Sequence, residues 1–204
     1  MEADWSVAAA GGDPVIVVPW AASVEEPRAL KFIDLRLHPE RVDELEAAHN
    51  TPLRSALLLL NGGTSHLWTA KCDFWTSSTE PFDPYEMDAT PAETAFGVGS
   101  YIDLLPRHVG GRTSFRQQEQ WMRRVTKRLR GAPAKAARVE LVLRAAQVHG
   151  EPGFGISWFV VGCGGSAESA RQSWENVLSI ALTLVLDTAF DPAPADDTMA
   201  ETGE

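Results

Sequence analysis

The sequence predicts an α+β domain, a mixed or mainly antiparallel sheet with helices packed on one face. Three observations carry that expectation. Short apolar runs of period two alternate with segments of helical period along the chain. FIDLRL at 32–37 and YIDLLP at 101–106 each precede a helix and then a strand, and a strand and a long helix follow. That order fits a split βαβ, ferredoxin-like sheet with additions. Finally, 204 residues at 44% hydrophobic and 23% charged supply enough apolar surface for one core of ordinary size.

Taken in order, residues 1–13 read as a flexible leader, 14–189 as a single domain and 190–204 as a disordered acidic tail rich in Pro and Ala. VIVV at 15–18 is a β-branched run stopped by Pro19. Residues 30–37 read as a strand, with Ile33, Leu35 and Leu37 on one side and Asp34 and Arg36 on the other. Pro39 suits the first turn of a helix over 39–50, and Thr51 caps a second helix that Asn61-Gly62-Gly63 stops. A strand follows over 65–77. Residues 78–99 form a long loop with three prolines and five acidic residues. A short strand occupies 101–105. Ser114 caps a helix to about Arg130, with Phe115, Met122 and Leu129 on its buried stripe. Residues 139–148 and 156–161 form two strands joined by the turn HGEPGFG. The second, ISWFVV, reads as apolar on both faces. Ser166 caps the last helix, which carries Trp174, Val177, Leu178 and Ala181 on its apolar face.

Charge is unevenly distributed. Between Arg112 and Arg138 nine basic residues face only Glu119, a local +8 in a chain whose net charge is −10. That asymmetry marks an interaction surface, internal or external. The overall charge argues against general nucleic-acid binding, since phosphate contacts need Lys and Arg. The longest unbroken apolar run, 56–60, is far short of the roughly 20 residues of a membrane span. The acidic start and two widely separated cysteines, without CxxC spacing, place the chain in the reducing cytoplasm.

Four stretches hold candidate chemistry. In SHLWTAKCDFWTSS, 65–78, strict alternation puts His66, Trp68, Ala70, Cys72 and Phe74 on a core face. It leaves Lys71, Asp73 and Trp75 on the other face as interaction-face candidates. Cys72 is then buried and inert, Asp73 points away from it, and only a bulge would change the parity. In VVGCGGSAES, 160–169, Gly164, Gly165 and Ser166 at a helix N-terminus form an anion-binding candidate, and Cys163 is the weak candidate for a nucleophile. The acidic loop 80–93 lacks calcium-loop spacing, and the five histidines are isolated, so no metal or other cofactor is expected. Arg123, Arg124, Lys127 and Arg128 form the basic face of helix 114–130, open to an acidic partner or RNA.

No stretch combines an acid, a base and a nucleophile. The sequence therefore points to a non-enzymatic cytoplasmic binding or adaptor protein with a protein partner and no membrane association. In size, class and charge it resembles toxin-neutralising immunity proteins, a likeness of class and not of motif. The alternatives are a small enzyme or phosphate-ligand binder at the Gly-Cys-Gly-Gly turn, and an RNA-associated accessory protein using the basic helix.

Overall fold

The computed structural model describes residues 1–20, 32–78 and 82–191. Six strands form one mixed sheet. β1 (Glu2–Ala8) and β2 (Ile16–Val18) both run parallel to β5 (Ala137–Val148). β5 pairs antiparallel with β6 (Glu151–Gly164), β6 with β4 (Phe96–Pro106), and β4 with β3 (Leu67–Ser77). The order across the sheet is β1-β5-β6-β4-β3. α1 (Thr51–Asn61), α3 (Phe115–Arg130) and α4 (Ala167–Asp187) pack on one face, and α2 (Val109–Thr113) is a short turn before α3. Their Leu57, Trp121, Val125 and Trp174 join Ile102, Leu141 and Trp158 of the sheet in one buried cluster.

The class is α+β, as the alternating periods predict. β4, α3 and β5 make one split βαβ unit around β6. A second such unit, needed for a ferredoxin-like order, does not form among the described residues. The reason lies at 32–50. Asp34 turns its own chain, accepting hydrogen bonds from the Arg36 N–H at 3.0 Å and the Arg36 guanidinium, while its carbonyl takes the Leu37 and His38 N–H groups. This local competition replaces the expected strand by a turn; residues 30 and 31 lie outside the described residues. The expected helix 39–50 is two 3₁₀ turns, Pro39–Glu44 and Glu46–His49, separated by an extended Leu45 with ψ 124°. Asn50, not Thr51, caps α1 by accepting from the Leu53 N–H.

The expected leader is also corrected. Residues 2–8 are an edge strand, because Ala3 and Trp5 alternate inward against Glu2, Asp4 and Ser6. β4 starts at Phe96, five residues before the expected strand, and its early half is sheltered by Phe82 and Met87. At the other end of the chain, Phe190 stacks on Trp121 with centroids 5.2 Å apart, and Asp191 pairs with Arg124. The rest of the predicted tail, 192–204, lies outside the described residues.

One close approach fixes how helix meets sheet. α4 lies so near β6 that a Cβ on Gly162 would sit 2.6 Å from the Trp174 Cα, and one on Gly164 2.5 Å from the Ala170 N. Only glycine permits this distance. We expect Gly162→Ala to lower stability by about 1–3 kcal/mol, the usual cost of overpacking. Gly63→Ala, where an added Cβ meets nothing within 4 Å, should leave it nearly unchanged. Urea denaturation of the two variants checks the contrast.

Candidate functional site: the uncovered face of the sheet

With three helices on one face, the other face must be closed by something else or remain open. Both of its ends are roofed. At one end Trp68, Leu105, Ile16, Val18 and Ala146 form a second buried cluster, with Phe32 against it and the Arg36 guanidinium 3.6 Å from the Trp68 ring. At the other end Met87, Ala136 and Cys163 pack together under Phe82. The middle is bare.

A bulge in β3 decides what the middle shows. Pairing runs from Thr69 opposite Leu104 to Cys72 opposite Ile102, so β3 spends three residues where β4 spends two. Before the bulge Leu67 and Thr69 face the helices and Trp68 faces away. After it Cys72 and Phe74 face the helices, and Asp73 and Trp75 face away. The strict alternation expected for 65–77 therefore fails: Trp68 and Ala70 belong to the open-face cluster, not with Cys72 and Phe74. The bulge leaves Cys72 and Asp73 on opposite sides, so it builds no thiol site. The Cys72 thiol is pushed up to about 12 by burial and by the charges of Asp73 and Asp103.

Strand register then assembles a row that no short stretch of sequence displays. Asp73 (β3), Tyr101 (β4), Phe159 (β6), Glu140 (β5) and Asp4 (β1) are successive cross-strand partners. The Tyr101 and Phe159 rings lie 5.7 Å apart, tilted by 37°, and both are partly exposed. Beside this row Trp75 lies over Gly99, where a Cβ would come within 2.5 Å of the indole. On the other side Asp103 pairs with Ser157. The Ser157 hydroxyl donates to Asp103 Oδ1 at 2.6 Å and accepts from Arg144 Nε at 2.9 Å. Asp103 is only 8% exposed, and burial raises its pKa against the opposing pull of Ser157, Arg144 and Lys71. Burial and the neighbouring Asp103 and Asp73 also raise the Tyr101 phenol. Lys71 is exposed at the bulge.

Both edges of the sheet are guarded by the same device. Asp73 Oδ1 accepts the Phe74 N–H at 2.8 Å, and Asp4 Oδ1 accepts the Trp5 N–H at 3.0 Å. Each carboxylate thus occupies a backbone donor of an edge strand. Arg130 Nε covers the Ala3 carbonyl, and Trp20 Nε1 the Ala70 carbonyl. Occupied edge groups of this kind disfavour the addition of a further strand. A cleft of ≈ 570 Å³ opens beside the bulge, with Ile33, Leu45 and Leu57 in its wall and Lys71 and Asp73 among its lining residues.

The other sequence candidates are placed differently. Cys163 belongs to β6, is 1% exposed, and has its thiol pushed up to about 11 by burial and the Glu93 charge. Gly164 and Gly165 do not frame a cradle. α4 presses on Gly164, and an added Cβ on Gly165 would lie 2.9 Å from the Ala92 carbonyl oxygen. Ser166 and Ser169 close a reciprocal cap on each other's N–H groups. The turn here carries the helix cap and the close contact of α4 with β6. On α3, Arg124 pairs with Asp191 and donates to the Ala189 carbonyl, and Arg128 donates to Thr188 Oγ1 at 2.7 Å. Arg123 pairs with Glu119 and lies 4.8 Å from the Trp5 ring. These three have partners within the chain, and Arg123, Lys127 and Arg128 are all exposed. Among the described residues no three His, Cys, Asp or Glu converge as metal ligands, and no helix is long and apolar enough to cross a membrane.

Tyr101, Asp103, Glu140, Arg144, Ser157 and Phe159 are missing from the sequence candidates. The alternation in YIDLL does put Tyr101 and Asp103 on one side, whereas the continuous run ISWFVV hides that Phe159 is on the open face. No protein-family model, curated protein or solved structure matches this chain.

Both thiols should be nearly inert in the folded chain. Iodoacetamide at pH 8, followed by mass spectrometry, should label each at well under a tenth of the rate of the urea-unfolded chain, since the thiolate is the nucleophile. A raised thiol pKa also favours the folded state until the unfolded thiols ionise. Stability should therefore be intact below about pH 8.5 and fall as pH rises from there towards 11 and 12.

Proposed function

We propose that this chain is a non-enzymatic binding protein that docks a protein partner on the uncovered face of its sheet. The observation that carries the reading is the register row Asp73, Tyr101, Phe159, Glu140 and Asp4, two partly exposed aromatic rings flanked by carboxylates. Aromatic side chains supply contact area at low entropic cost, and the flanking charges set orientation and partner choice. Roofing at both ends of the face gives the docking surface defined limits. Raised thiol pKa values at Cys72 and Cys163 weigh against the nucleophile alternative. Engagement of Arg123, Arg124 and Arg128 within the chain weighs against the RNA alternative.

An adaptor or immunity-type role fits this surface: a chain of net charge −10 is steered towards a basic partner. Both cysteines are free thiols, in keeping with the cytoplasm as the working compartment.

Affinity capture on the immobilised chain from an extract of its own cells tests the reading. A discrete partner should be retained, and Phe159→Asp should reduce its retention at least tenfold without lowering the folding midpoint by more than a few degrees. Lys127→Glu on α3 should leave retention unchanged. Loss with Lys127→Glu and full retention with Phe159→Asp would move the interface to the basic helix.

A further inference from the structure

We propose that the partner contributes an arginine to this face, its guanidinium lying against Tyr101 and Phe159 and donating to the free carboxylate oxygen of Asp103. The inference rests on the docking reading above and names the chemistry of its anchor.

Asp103 is the starting point. It is more than nine-tenths buried, yet only Oδ1 is held, by the Ser157 hydroxyl. Oδ2 has no hydrogen-bond partner among the described residues, and Asp103 lies on the open face beside Tyr101. Orienting one oxygen through Ser157 and Arg144 leaves the other as a fixed acceptor. A buried, oriented carboxylate gives a stronger charge-assisted hydrogen bond than a surface one.

The neighbouring side chains select the donor. The Tyr101 and Phe159 rings, one register step along the sheet, are partly exposed, and aromatic rings attract a planar cation. The carboxylates of Asp73 and Glu140 lie at either end of that ring pair and favour positive charge. The built-in cations nearby are otherwise used or loosely held. Arg144 is committed to Ser157, and Arg138 pairs with Glu86 at 2.8 Å and more loosely with Glu140 at 3.8 Å. Lys71 sits at the bulge beside Asp103, exposed and outside every ion pair among the described residues. An ammonium is compact and strongly hydrated, whereas a guanidinium is planar, weakly hydrated and able to stack while it donates. The geometry thus favours an incoming arginine over the chain's own Lys71.

The test is a titration of the ¹⁵N-labelled full chain with a blocked Gly-Arg-Gly peptide and with its citrulline counterpart, a neutral isostere. The arginine peptide should shift the amides of Tyr101, Asp103 and Phe159 saturably, with the citrulline peptide at least tenfold weaker. Asp103→Asn, which keeps an acceptor for Ser157, should abolish saturable binding. Lys71→Gln, at an exposed position, should strengthen it severalfold by removing a competing charge. Equal shifts by the two peptides, or shifts confined to the acidic segment 82–93, would overturn the assignment. The two claims separate cleanly in the capture experiment. If Phe159→Asp releases the partner and Asp103→Asn does not, the docking face stands and the arginine falls. If neither releases it, both fall.

Discussion

The contact of Trp174 with the sheet is the constraint on which the rest of the molecule depends. α4 approaches β6 closely enough to require glycine at 162 and 164, and this brings the Trp174 indole down onto β4 and β3. There it donates to Ser100 Oγ at 3.1 Å and meets the Phe74 ring edge-on at 5.1 Å. Phe74 must therefore face the helices. Trp68, six residues earlier, is fully buried on the opposite face. A regular strand puts residues six apart on the same side, so both demands can be met only if β3 gains one residue between them. The bulge at 70 and 71 supplies it.

That local irregularity has a consequence across the whole sheet. Because Phe74 faces inward, Asp73 and Trp75 face outward, and Asp73 falls into line with Tyr101, Phe159, Glu140 and Asp4. The same Asp73 caps the edge of its own strand. A side chain that guards the edge thus also terminates the row on the face. The edge strands carry these caps, and among the described residues the middle of the face presents aromatic and charged side chains. Packing on the covered face determines what the uncovered face presents.

Much of this is legible in the residue order, and the rest is not, for identifiable reasons. The helices at 51–61, 115–130 and 167–187 follow from period and caps, and the hairpin follows from His149-Gly150, both at positive φ. The outward placement of Lys71, Asp73 and Trp75 was readable because the bulge lies before Cys72. Trp68 was not, since nothing local to SHLWTAKCDFW marks an extra residue; the requirement comes from Trp174, a hundred positions away. The strand at 2–8 has clear alternation, but small and acidic residues made it resemble a loose leader. The strand expected at 30–37 failed because Asp34 satisfies its neighbours' backbone locally. The open-face row is invisible in sequence because it runs across strands, and each strand contributes one residue to it.

The most direct test of the account is hydroxyl-radical footprinting of the chain alone and with its captured partner, with oxidation read at single residues. The account predicts that Trp75, Tyr101 and Phe159 are oxidised in the free chain and protected in the complex, while Phe115 and Tyr85, exposed elsewhere, are unchanged. Protection confined to α3 or to the segment around Tyr85, with Tyr101 and Phe159 still oxidised at the free rate, would contradict it.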